Sequence, residues 1–156
     1  MFSRVVAAGA LLWMAACSAS RASSGNKPVP SNAETTPSWR RAFDQRRAAG
    51  HGIFLTEEEI KNAKAATLVT LLQHIPSVRV TCRTVGCDVS LLRAPEACPP
   101  AFIVDGVPAI YSPDVDLSSA DIMGIEIYRT RIETPSEFLG AANSCGTIVI
   151  WTRFRR

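Results

Sequence analysis

The sequence predicts an α+β fold, a small mixed β-sheet carrying two or three short helices. Three observations predict it. Apolar residues from Leu68 to Ile75 recur at the helical period, whereas those from Val78 onward alternate or run as strands do. Gly, Pro and Asp-Gly steps cut the second half into short segments. The chain has 156 residues, 47% hydrophobic and 20% charged, with a net charge of +3, the composition of a single globular domain. The same arithmetic excludes several classes. No stretch reaches the roughly 20 consecutive apolar residues of a membrane-spanning helix. Even the smallest outer-membrane barrel needs about eight alternating strands of about ten residues, which the sequence does not show. A charge of +3 without a concentrated basic stripe points away from nucleic acid as a partner.

The first element is an address. Arg4 supplies a positive start, Val5 to Ala16 is apolar and uncharged, and small Ala15 and Ala16 precede Cys17. Residues 1–16 therefore read as a secretory signal peptide. Met14-Ala15-Ala16-Cys17 resembles a bacterial lipobox, which implies cleavage before Cys17 and lipidation of its sulfur; Ser18 behind it implies delivery to the outer membrane. Residues 17–38 are then the lipidated Cys and a flexible tether, rich in Ser, Ala, Asn and Thr with Pro28, Pro30 and Pro37. Residues 39–156 form the folded domain.

Five cysteines is an odd number for an exported chain. Lipidation of Cys17 leaves Cys82, Cys87, Cys98 and Cys145, an even set in an oxidising compartment. Three connectivities are open. The favoured one joins Cys82 to Cys87 across a hairpin and Cys98 to Cys145. Zinc is the competing use, but there is no CxxC pair and the spacing is irregular, so no metal is expected.

Within the domain, Trp39 and Phe43 stand at i, i+4 on a helix and dock one apolar edge, leaving Arg40, Arg41, Arg46 and Arg47 to face water. Gly50-His51-Gly52 ends that helix. Ile53-Phe54-Leu55 is a short buried strand. Thr56-Glu57-Glu58-Glu59 is a capping box, which accounts for those carboxylates without catalysis. The next helix carries Leu68, Leu71, Leu72 and Ile75, with His74 on its last turn and Pro76 stopping it. Val78, Val80 and Cys82 alternate into a turn at Val85-Gly86, and Val89 to Leu92 returns as a second strand. Ala101 to Val104 runs into the turn Asp105-Gly106. Ser118, Ser119 and Asp121 open a helical turn before the strand Gly124 to Thr130. Thr134-Pro135-Ser136-Glu137 reads as another capping box, and Gly146 to Arg153 is a last strand. On the strand through Glu126, Glu126 and Tyr128 share one side, with Ile125, Ile127 and Arg129 on the other. Asp105, Glu126, Arg129 and Glu133 are expected to make a polar surface.

The order of these pieces resembles the plug domain of TonB-dependent outer-membrane receptors. The resemblance rests on Ile75-Pro76-Ser77-Val78, on Phe102-Ile103-Val104-Asp105-Gly106-Val107-Pro108, on Asp121 through Arg129, and on Cys145-Gly146-Thr147 through Thr152. It spans Ile53 to Thr152 and implies a small mixed sheet with helices. Ser77 and Thr130 stand where the family commonly has Gly. In the family the plug sits in a barrel of about 22 strands; here the chain ends where that barrel would begin, so a stand-alone plug-like lipoprotein is expected.

The expected function is non-catalytic: a tethered protein binding an outer-membrane barrel or other envelope protein. The alternative is an accessory protein for a small ligand (siderophore, glycan or peptide), held on the loops after Asp105 and near Tyr111. Asp105, Tyr111, Glu126 and Arg129 are the candidate binding surface. No catalytic residue, cofactor or metal is expected, since His51 and His74 are the only histidines and both are explained by a turn and a helix end.

Overall fold

A computed structural model gives the three-dimensional structure and describes residues 36–84, 86–95, 98–109 and 117–154. The signal segment, Cys17, the tether up to residue 35, Val85 and Tyr111 lie outside the described residues. The first helix, α1 (Ser38–Ala49), ends on Gly50 in the left-handed conformation, and Arg46 and Arg47 in its last turn suit the helix dipole. Strand β1 (Ile53–Thr56) leads into α2 (Glu57–Asn62), where the expected capping box forms: the Thr56 hydroxyl accepts from the Glu59 amide, and Glu59 accepts from Thr56 N. Helix α3 (Leu68–Gln73) buries Leu68, Leu71 and Leu72 as its period requires, and Thr67 and Thr70 cap it reciprocally.

Strands β2 (Val78–Arg83) and β3 (Gly86–Leu91) form a two-stranded antiparallel hairpin. Strands β4 (Ala101–Val104) and β5 (Val107–Ala109) are joined by Asp105-Gly106, with φ of 51° and 85°, a two-residue turn positive at both positions. A 3-10 turn (Ser119–Asp121) precedes β6 (Ile122–Tyr128), a second one (Ser136–Phe138) follows it, and β7 (Thr147–Thr152) closes the fold. The main sheet has the order β1-β6-β7-β4-β5; β4 and β7 are parallel and the other pairs antiparallel. The mixed sheet is as the sequence predicted.

Alternation along the strands sorts side chains onto two cores. Phe102, Ile125, Ile127, Ile148 and Ile150 point to one face and pack with α2, α3 and the hairpin. Ile103, Tyr128, Val149 and Trp151 point to the other, where Trp39 and Phe43 of α1 and Phe138 cover them. Ile122 joins the first face although its number is even, because a register shift lies between Ile122 and Gly124. Trp39 stacks on Trp151 with ring centres 5.3 Å apart, so the expected docking edge of α1 is real.

Several expectations need correcting. Strand β1 is half-buried, being the edge of its sheet. Strand β5 went unpredicted, since three residues containing Pro108 carry little strand signal. The capping box at Thr134 does not form: Pro135 takes the cap position, and the Thr134 hydroxyl donates back to the Thr130 carbonyl. Arg46 does not face water; it turns inward.

Candidate functional site

That inward turn builds the most elaborate polar cluster of the described residues. Glu126 stands on β6 between Ile125 and Ile127 and is 0% exposed. Its alternation places it beside Tyr128 on the α1 face, as the period of two requires. Oε1 accepts from Arg46 Nη2 at 2.6 Å and from Trp151 Nε1 at 2.6 Å. Oε2 accepts from Arg46 Nε at 2.8 Å and from the Tyr128 hydroxyl at 2.5 Å. A carboxylate offers about four acceptor sites, and all are taken. Arg46 also donates to Glu137 at 2.5 Å, and its guanidinium lies 5.3 Å from the Phe138 ring centre. One carboxylate thus ties α1, β6 and β7 together.

The electrostatics follow from that closure. Burial works against the Arg46 cation, but the hydrogen bond and charge of Glu126, joined by Glu137, outweigh it and hold the guanidinium above its ordinary value. Burial pushes the Tyr128 phenol up, and the neighbouring Glu126 charge pushes it further. With every acceptor of Glu126 filled and that carboxylate itself shut off from solvent, the cluster binds chain to chain. It has the chemistry of a clamp.

The candidate surface of Asp105, Tyr111, Glu126 and Arg129 does not assemble as expected. Glu126 is interior, because the α1 face of the sheet is covered rather than open. Asp105 sits in the β4–β5 turn and accepts from Thr152 N at 2.8 Å and from its hydroxyl at 2.6 Å. Arg129 pairs with Glu133 at 3.0 Å, four residues on, and lies apart from Glu126 across the pleat. Tyr111 is outside the described residues. Sequence reasoning missed Arg46 and Trp151 as partners of Glu126. A signal existed: Trp39, Phe43 and Arg46 stand at i, i+4, i+7, one stripe of the helix, and a lone acid inside an apolar strand requires a cation.

An open cleft of about 500 Å³ lies between α1 and α2, lined by Arg40, Arg47, the three glutamates of α2 and Lys61. Its charges answer one another. Glu57 is bridged by Lys61 at 2.8 Å, by Arg40 at 3.7 Å and by Arg153, and Arg47 meets Glu59 at 3.5 Å. The Lys61 hydrogen bond, then that of Arg153, hold the Glu57 carboxyl below its ordinary range, and the Thr56 amide does the same for Glu59. Among the described residues no group of three or more His, Cys, Asp or Glu is placed to hold a metal. No helix among them is long and apolar enough to cross a membrane.

The cysteines pair as favoured. Cys82 faces Cys87 directly across the hairpin, Cα atoms 3.9 Å apart, and Cys98 joins Cys145 with Cα atoms 5.6 Å apart. Cys98 lies just before β4 and Cys145 just before β7, so the second bridge pins the starts of the two parallel strands.

No protein-family model matches the chain, and no curated protein does. Among solved structures, Pseudomonas aeruginosa FpvA, determined with heterologous pyoverdines, is similar at 17% identity over 66% of this chain and 14% of that one, TM-score 0.50. The ferric-catecholate import receptor Fiu from E. coli K12 matches at 18% identity, over 68% of this chain and 15% of its own, TM-score 0.46. The ferric enterobactin receptor PfeA from Pseudomonas aeruginosa matches at 17%, over 72% and 18%, TM-score 0.46. This chain spans less than a fifth of the length of each. At 17% identity the likeness to FpvA is one of fold, and the mixed α+β arrangement is consistent with a plug-like domain.

Proposed function

We propose that this chain is a non-catalytic, lipid-anchored, plug-like protein of the outer membrane that acts by binding an envelope partner. The observation that carries the reading is the double coverage of the sheet. One face is sealed by α2, α3 and the hairpin, the other by α1 and Phe138, and the carboxylate buried on the α1 face has every acceptor occupied. A plug-like domain closed in this way needs no enclosing wall to hide its apolar faces, and its chemistry is left to its outer surface. The lipobox-like Met14 to Cys17 and the tether supply the anchor.

Two experiments test the two halves. Cys17→Ser should shift the protein from the membrane to the soluble envelope fraction and remove the acyl mass, with the thermal midpoint of the domain unchanged. A wild-type protein without acyl mass would end the anchor reading. Crosslinked capture from intact outer membranes should return a barrel or another specific envelope protein; a catch of lipids and abundant envelope proteins alone would end the partner reading.

A further inference from the structure

Ile132 is 97% exposed, the most exposed large apolar side chain among the described residues. It stands at the tip of the loop after β6, and that loop is tied down on all sides. The Arg129 amide and guanidinium both donate to Glu133. The Glu133 amide donates to the Thr130 hydroxyl, the Thr134 hydroxyl donates to the Thr130 carbonyl, and Arg131 Nη1 reaches the Ala142 carbonyl at 2.7 Å. A loop fixed by its own polar groups presents Ile132 with little ordering cost left at docking.

Leu92, 54% exposed, belongs to the same end of the domain. A Cβ placed on Gly146 would meet Leu91 Cδ1 at 2.5 Å and the carbonyls of Tyr128 and Arg129 at 2.6 and 3.2 Å, so the end of β3 abuts the end of β6. Arg93 agrees: burial raises the Glu133 carboxyl, yet Arg129 and then the Arg93 charge hold it below its ordinary range. Two exposed aliphatics therefore share this end with Arg93, next in the chain to Leu92, and Arg131, next to Ile132, whereas Arg129 and Glu133 answer each other.

The patch also lies at the end of the sheet away from the start of α1. Tyr128 at the end of β6 pairs with Thr147 at the start of β7, and Ile53 just after α1 pairs with Ile127. The start of α1 lies at the opposite end, where Trp39 stacks on Trp151 late in β7.

We propose that Ile132 and Leu92, flanked by Arg93 and Arg131, are the docking knob for a protein partner offering an apolar socket with an acidic rim. This deepens the partner-binding reading above and rests on it. Charge complementarity selects the partner: cations around aliphatic side chains match carboxylates around a cavity.

The test uses the full chain in intact envelopes with a photo-crosslinking residue at position 92, and at position 107 as the control, since Val107 is 66% exposed on the β4–β5 hairpin at the far end. Position 92 should give one discrete heteromeric adduct and position 107 none. Ile132→Ser and Arg93→Glu should each cut its yield about tenfold, with the thermal midpoint preserved, and the crosslinked peptide should be rich in Asp or Glu around aliphatic residues. An adduct insensitive to both substitutions, a dimer of this chain, or a lipid adduct overturns the proposal. An adduct at 107 but not 92 overturns this placement while the partner reading stands; no adduct at either position ends both.

Discussion

Glu126 lies between two isoleucines, and removal of its cation shows what the four-donor shell is for. Arg46→Ala would leave a carboxylate buried without its counter-charge, and urea unfolding should show a loss of about 3–5 kcal/mol. Arg46→Met combined with Glu126→Gln should recover much of that loss, because the charge is gone and an acceptor remains for Tyr128 and Trp151. Equal losses in the single and double variants would show that the pair is not coupled. Tyr128 gives a pH signature of the same shell. Its folded pKa is raised above the ordinary 10.0, so its contribution is fully present below that pH and is lost as pH climbs beyond it. Ultraviolet titration should show one of the two tyrosines resisting ionisation until the fold opens, and Tyr128→Phe should abolish that late phase. Gly146 is constrained by space and backbone alike, at φ of 100° with Leu91 and the Tyr128 carbonyl too close for a Cβ. Gly146→Ala should cost at least about 2 kcal/mol in the same unfolding experiment.

The two disulfides behave as different elements. Cys82 is exposed at the hairpin tip, whereas Cys145 is 5% exposed in the core. Mild dithiol treatment followed by alkylation and mass mapping should therefore label Cys82 and Cys87 first, and Cys98 and Cys145 only when the domain unfolds. Replacing Cys98 and Cys145 with Ala should cost about 4 kcal/mol against about 2 for the short bridge, by loop length. The elements themselves were largely legible. Leucine spacing marked α3, Thr56 and Glu59 marked the start of α2, alternation marked β2 and a β-rich run marked β7, because local propensity and burial agree there. Where they disagree the reading failed. Thr134 has the right neighbours for a cap but spends its hydroxyl on Thr130, and Arg46 looks like a surface residue until β6 places an acid beneath it. The halves of the polar clamp were legible, an arginine on the docked stripe of α1 and a lone acid in an apolar strand, but their pairing was not, because Arg46 lies 80 residues from Glu126 and tertiary pairing of that kind leaves no local period.

At the scale of the whole molecule, the ion pairs that join α1, α2 and the segment after β7 set the acid limit. Glu57, Glu59 and Glu133 all have carboxyls held below the ordinary 4.5. Their contribution is present above that pH and is lost as pH falls through the lowered values, so the thermal midpoint should fall on acidification below about 4.5, and added salt should weaken the exposed part of this dependence. The sheet that these pairs brace contains one non-local parallel pairing, β4 with β7, closed across the 47-residue span that the Cys98–Cys145 bridge also closes. A crosslink set at the mouth of that pairing acts on time as well as on stability. With the bridge intact, the chain does not have to search for the partner of β4; the two strands start side by side and zip. With it reduced, the same topology must be found by diffusion of a long loop, which lowers the logarithm of the folding rate in proportion to the closure entropy. Stopped-flow refolding should therefore be markedly faster for the oxidised domain, and oxidation of this one pair becomes the step that commits the chain to its architecture.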